Sequence, residues 1–133
     1  MKKTFFSLLI MVMVMILTIP ACKNSDETNF NVVGSWQFII TPSGDDADGP
    51  YKTDFVGDVT QGTWKLSVDQ DDFITGTYEV VGNVIKMIIT DVSYEEGVAG
   101  YFTGQFEKFN KMSGTFQTTD NGYLISGTWM AIR

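Results

Sequence analysis

Along this chain an aromatic residue repeatedly follows a glycine by two positions, as in "GSW" at 34, "GTW" at 62, "GTY" at 76, "GQF" at 104, "GTF" at 114 and "GTW" at 127. Residues two apart on an extended chain share a face, so each copy sets a bare backbone patch and a large ring on one side of a strand. Glycine lets a strand coil sharply, and a neighbouring ring can cover the gap it leaves, a device suited to closing a small barrel. The intervals between copies vary, so this is one geometric solution used repeatedly and not a repeat of fixed period.

The rest of the sequence from Val32 onward agrees with that device. Apolar and polar residues alternate, and no stretch of ten or more residues carries a helical stripe. The alternation predicts eight strands, near residues 33–41, 53–59, 62–68, 73–81, 84–91, 100–109, 112–118 and 123–132. "DQDD", "GN", "NK" and "TDNG" supply tight-turn chemistry between them. Short links favour a meander, and closing a meander removes both unpaired edges. The expected fold is an all-β, eight-stranded antiparallel up-and-down barrel over residues 32–133. A sandwich of aromatic hairpins is the alternative that composition alone would allow.

In a barrel, parity assigns the interior. Trp36, Phe38 and Ile40 share a face of the first strand, and Trp64, Leu66 and Val68 share a face of the third. Tyr78, Val80, Ile85, Met87 and Ile89 continue the set, then Phe102, Phe106, Phe116, Ile125 and Trp129. The opposite positions, such as Gln37, Lys65, Glu79 and Lys86, suit water. Eight strands enclose just enough room to be filled by side chains or to hold one small ligand. If a cavity persists, Trp64, Tyr78, Met87, Phe102, Phe116 and Trp129 are the candidates to line it. Its ligand would be apolar or amphipathic.

The N-terminus reads as an address. Lys2 and Lys3 precede an almost wholly apolar run from Phe5 to Ile19, the layout of a secretory signal over residues 1–21. That run is short for a membrane span, and Pro20 closes it. The sole cysteine, Cys22, follows directly, with no partner thiol to staple. The residues "IPAC" resemble a bacterial lipobox, which implies that Cys22 becomes the first mature residue and is lipidated. Several acyl chains then hold the protein to a membrane. An ordinary signal peptide followed by a free thiol is the alternative. Residues 22–31 read as a flexible tether. Its "KNSDE" loosely resembles the acid-bearing signals of lipoproteins sent to the cell surface, so the expected address is the bacterial cell envelope, on the outer membrane.

The two ends of the barrel region carry a second resemblance. "GSW" opens the first strand and "GTWMAIR" closes the last. This is similar to the lipocalin and calycin superfamily, whose barrels begin with a Gly-x-Trp strand and carry a late arginine that packs across that tryptophan. The resemblance implies that Gly34, Trp36 and Arg133 close the barrel. The Gly-Thr-aromatic strands also look like the avidin type of barrel. Departures from the lipocalin pattern are the short domain and the absence of a helix after the barrel.

Charge and residue inventory exclude several classes of function. The chain carries a net charge of -7, and removing Lys2 and Lys3 with the leader makes the remainder more acidic still, so nucleic acid is a disfavoured partner. There is no histidine, and the one thiol is committed to lipid, so neither a catalytic residue nor a cofactor site is expected. Carboxylates are plentiful but fall mainly in predicted turns, where solvated charge is ordinary. The densest run, "GDDADG" at 44–49, fails as a calcium loop because Gly44 and Phe55 stand where such a loop needs acids. No metal site is expected.

Two functions remain. One is a lipid-anchored protein binding a small apolar or amphipathic molecule in the barrel mouth. The other is a filled structural barrel acting through its surface, as an inhibitor or subunit of an envelope complex. Ile39, Val81, Val84, Ile88, Leu124, Met130 and Ile132 would support the second if they formed one patch.

Overall fold

A computed structural model describes residues 30–133. The leader, Cys22 and the tether up to residue 29 lie outside the described residues. Eight strands follow in order: β1 Gly34–Pro42, β2 Asp48–Gly57, β3 Gln61–Ser67, β4 Phe73–Val81, β5 Val84–Val92, β6 Ala99–Lys108, β7 Lys111–Asp120 and β8 Tyr123–Ile132. Each pairs antiparallel with its successor, and β8 pairs with β1, giving a closed meander barrel. The register of the closing seam runs from Gln37 opposite Ile132 to Pro42 opposite Gly127.

The pairing explains why the Gly-x-aromatic motif recurs. On antiparallel neighbours the motif is reciprocal: Gly62 faces Tyr78 while Trp64 faces Gly76 across β3 and β4. Likewise Gly114 faces Trp129 while Phe116 faces Gly127 across β7 and β8. The Tyr78, Trp64 and Phe116 rings lie over Gly62, Gly76 and Gly127 of the adjoining strands, while the Trp129 ring reaches past Gly114 to Gly104 on β6. A Cβ at Gly76 would sit 2.7 Å from the Trp64 Nε1 and 1.8 Å from the Ile88 carbonyl oxygen, which no side chain can occupy. The close approach also brings indole N–H groups to backbone acceptors: Trp64 Nε1 donates to the Thr77 carbonyl at 3.1 Å, and Trp129 Nε1 to those of Thr115 and Thr103. The glycines let large rings and their polar edges share the narrow interior without leaving an orphan donor.

The interior is one continuous apolar cluster. Stacked and edge-on rings cross it, with Phe38 parallel to Trp129 at 5.1 Å and Trp64 edge-on to Phe102 at 5.9 Å. Among the described residues, no buried side-chain nitrogen or oxygen lacks a hydrogen-bond partner. Outside, Gln37, Lys65, Glu79 and Lys86 are exposed, the reverse of the pattern a membrane-spanning barrel requires.

Three sequence expectations need correction. β2 begins at Asp48, five residues before the expected Thr53, because the wall above Thr53 is built differently. Pro50 lacks a backbone donor, and it sits beside the β1 irregularity between Phe38 and Ile40, above the last residue of β2 that pairs with β3. A proline is tolerated where no ladder bond is needed. Second, Val68 and Ile125 have the inward parity assigned to them but are 36% and 42% exposed. Both lie at the rim, where no wall continues above them. Third, packing starts at Phe30, inside the stretch read as tether, because its ring stacks on Phe106 at 4.8 Å.

Candidate functional site

The two ends of the barrel differ, and the features that bear on function sit there. At one end lie the chain entry from Phe30, the β2–β3, β4–β5 and β6–β7 turns and Arg133. This end is sealed. Val32 is fully buried beneath the barrel, and Trp36 Nε1 donates to its carbonyl oxygen at 2.7 Å. Arg133 follows the last strand and is itself exposed, yet its guanidinium carbon lies 4.4 Å from the Trp36 ring centroid. Its Nη1 donates to the Val33 carbonyl at 3.0 Å and its Nη2 to the Asn31 carbonyl at 2.7 Å, with a longer contact from Nη2 to Phe109. One planar fork therefore ties the entry segment and the β6–β7 turn across the indole face.

Gly34, the third residue assigned to closure, has a φ of +118° and lies beside that fork, where a Cβ would stand 3.6 Å from Nη1. There is room for a methyl group, so backbone conformation is what requires glycine here.

The six residues assigned to a ligand cavity are all in the packed core. Trp64, Tyr78, Met87, Phe102, Phe116 and Trp129 are each less than a tenth exposed and touch one another or their neighbours' rings. Tyr78 runs toward the sealed end, where its hydroxyl donates to the Asp58 carbonyl at 2.5 Å. Burial, and then the charge of Asp58, pushes that phenol up from its ordinary pKa.

The opposite end is open and acidic. Its connections carry "SGDDAD", "VDQDD", "DVSYEE" and "DNG", with no lysine or arginine among them. The wall also loosens there: β2 pairs with β3 only up to Thr53, and β5 pairs with β6 only between Val84–Ile88 and Tyr101–Gln105. Ile40, Tyr51, Ile74 and Val98 are half-buried at this rim against the core, with Val68 and Ile125 above them. The Tyr51 hydroxyl donates to the Asp48 carboxylate, and that bond, with burial, pushes the phenol up to about 12. Glu95 is held above the usual carboxylate range by its hydrogen bond to Asp120 and by that neighbour's charge. Among the described residues, no three acidic side chains converge to hold a metal ion.

Grooves lie on the outer wall. One of about 430 Å³ follows the seam where β5 and β6 part, lined by Ile88, Tyr101 and Leu124 with Lys86 and Gln117. Another of about 760 Å³ runs past Thr63, Thr77 and Glu79. The outward apolar residues do not form the single patch considered from sequence. Ile39 and Met130 pair across the closing seam, Ile88 and Leu124 line the groove, and Val81, Val84 and Ile132 belong to the sealed end.

What sequence reasoning missed lies mostly at the sealed end. Phe30, Val32, Met112 and Ala131 all pack there, and three backbone carbonyls receive Arg133. Carbonyl acceptors have no side-chain signature. The parity of Met112 with Phe116, and of Ala131 with Trp129, would have found those two.

No protein-family description matches this chain, and no curated protein does. Among solved structures it is similar to a redesigned beta barrel, with a TM-score of 0.60 at 12% identity over 80% of this chain and 93% of that one. At that identity the likeness concerns the fold: a small closed β-barrel.

Proposed function

We propose that this chain is a lipid-anchored protein of the bacterial cell envelope, held to the outer membrane through Cys22. Its calycin-like barrel is a filled scaffold acting through its surface, as an inhibitor or as a subunit of an envelope complex. The observation that carries this reading is the occupied interior: the rings that would line a ligand cavity are stacked on one another. The entry segment and Arg133 close one end of it. A non-enzymatic role fits the chemistry available. There is no histidine, and several carboxylates are engaged in turns, as Asp58 is with Thr60 and Gln61 and Asp69 with Asp71 and Asp72. The exposed acidic end argues for a protein partner over nucleic acid.

The second reading, a small apolar or amphipathic ligand, is favoured by one observation: Val68 and Ile125, assigned to the inner face by parity, are exposed at the open rim. Such a ligand would sit in the rim above the packed rings. Native mass spectrometry of the protein from its own host, with titration of fluorescent apolar probes, separates the two. The filled scaffold predicts no retained molecule and no tryptophan quenching. An equimolar retained ligand that quenches Trp64 or Trp129 would replace it with the second reading.

A further inference from the structure

We infer that the sealed end of the barrel rests on a lipid bilayer, its turns dipping into the interface, so that the acidic open end faces away from the membrane. The orientation rests on the reading that Cys22 carries lipid, but the surface argues for itself. All three turns at this end present large apolar side chains to solvent. Val56 and Val59 flank the β2–β3 turn at 66% and 44% exposure, Val81 and Val84 the β4–β5 turn at 69% and 49%, and Phe109 tips the β6–β7 turn at 69%. The tips themselves keep ordinary turn residues, Asp58, Gly82–Asn83 and Asn110, and the open end also exposes Tyr94, Tyr123 and Leu124, so it is the apolar flanks of these three turns together with the charge around them that call for a particular partner.

Two further observations select lipid. The described chain begins at Phe30 on this end, eight residues beyond Cys22, and so short a connection keeps the sealed end near the anchor. Charge is distributed to match. Phe109 sits in "KFNK" between Lys108 and Lys111, with Arg133 close by; Lys111 pairs with Glu107 at 3.0 Å and Asp58 lies in the β2–β3 turn, so this end is mixed in charge, whereas the opposite end has acids at every connection and no base. An aromatic ring between lysines is the composition of a segment that lies at a headgroup boundary, with apolar groups buried about 5–10 Å deep. The acidic end would be repelled by anionic headgroups.

The test uses the mature lipoprotein in phosphatidylcholine vesicles containing some phosphatidylglycerol. A polarity-sensitive dye is placed at Asn83→Cys in the β4–β5 turn or at Gln70→Cys in the opposite β3–β4 turn. Nitroxide lipids then report depth. The dye at 83 should shift to the blue and be quenched severalfold more than the dye at 70, and adding Phe109→Ser should reduce that quenching. Equal, water-like signals from both sites would overturn the docking. So would shielding of the dye at 83 without vesicles that rises with protein concentration, because the surface would then pair with a second copy. The intact mass reports the anchor separately. A chain without acyl mass whose dye at 83 is still lipid-quenched refutes the anchor and keeps the docking, while an acylated chain with both dyes in water does the reverse.

Discussion

The sealed and open ends are built from the same alternating strands, yet they solve the problem of ending a barrel in opposite ways. At the sealed end the chain supplies its own floor: Phe30 and Val32 tuck beneath the rings, and Arg133 fastens that segment from the far end of the sequence. At the open end the wall thins, inward side chains reach water, and carboxylates crowd the connections. A small barrel needs only one covered end to be dry inside, because the interior rings already fill its width. The uncovered end is then free of a packing role, and its composition can answer to solvent or to a partner.

The largest expected contrast between the ends comes from truncating one inward residue at each. Phe106 is 3% exposed and packs on Phe30 and Trp36, so Phe106→Ala should lose about 3–5 kcal/mol in chemical denaturation. Ile125 has the same inward parity at the open rim, and Ile125→Ala should cost about 0.5 kcal/mol or less because it is already largely wet. Equal losses would mean that the open rim is as tightly packed as the floor, and the distinction would collapse.

A smaller effect tests the fastening itself. Arg133→Ala removes two charge-assisted bonds to backbone carbonyls and the contact over Trp36, and should cost about 2 kcal/mol. Arg133→Lys keeps the charge but cannot span two acceptors with a planar fork, so its loss should be intermediate. Trp36 fluorescence should change in both, since the group lying over the indole face is altered. A fully stable Arg133→Ala protein would show that Phe30 and Val32 close the floor without it.

How much of this was legible in the sequence follows the same division. Alternation located β3 to β8 closely, because a one-residue slip would turn every ring outward. It located β2 poorly, since "DADGP" carries turn residues that the structure accommodates in a strand beside an irregularity. Parity placed Ile125 on the inner face but could not say where the wall stops, which depends on the stagger between strands. The pairing of the chain's two ends was readable from Gly34, Trp36 and Arg133 as a resemblance, whereas the carbonyl acceptors and the Phe30 plug were not. Those contacts join residues on the order of a hundred positions apart through backbone atoms.

The smallest expected effect concerns the open end alone and depends on pH. Glu95 in the β5–β6 connection has its pKa raised by Asp120 at the end of β7, through a hydrogen bond that only a protonated carboxyl can donate and through that neighbour's charge. A group whose pKa is higher in the fold contributes stability that is complete below its ordinary value and is lost as pH rises through the raised one. Ionised, the pair repels. Glu95→Gln keeps a donor for Asp120 at every pH and removes that repulsion. The variant should therefore match wild type below about pH 4 and become slightly more stable as pH rises toward neutrality. Asp54, Asp58, Asp69 and Glu107 have lowered pKa values and lose their stabilising contribution as pH falls, but they do so in both proteins and cancel from the difference. Parallel denaturation curves across this range provide the measurement. A difference that is constant with pH would mean that the two carboxyls do not share a proton, and the open rim would then carry only independent charges.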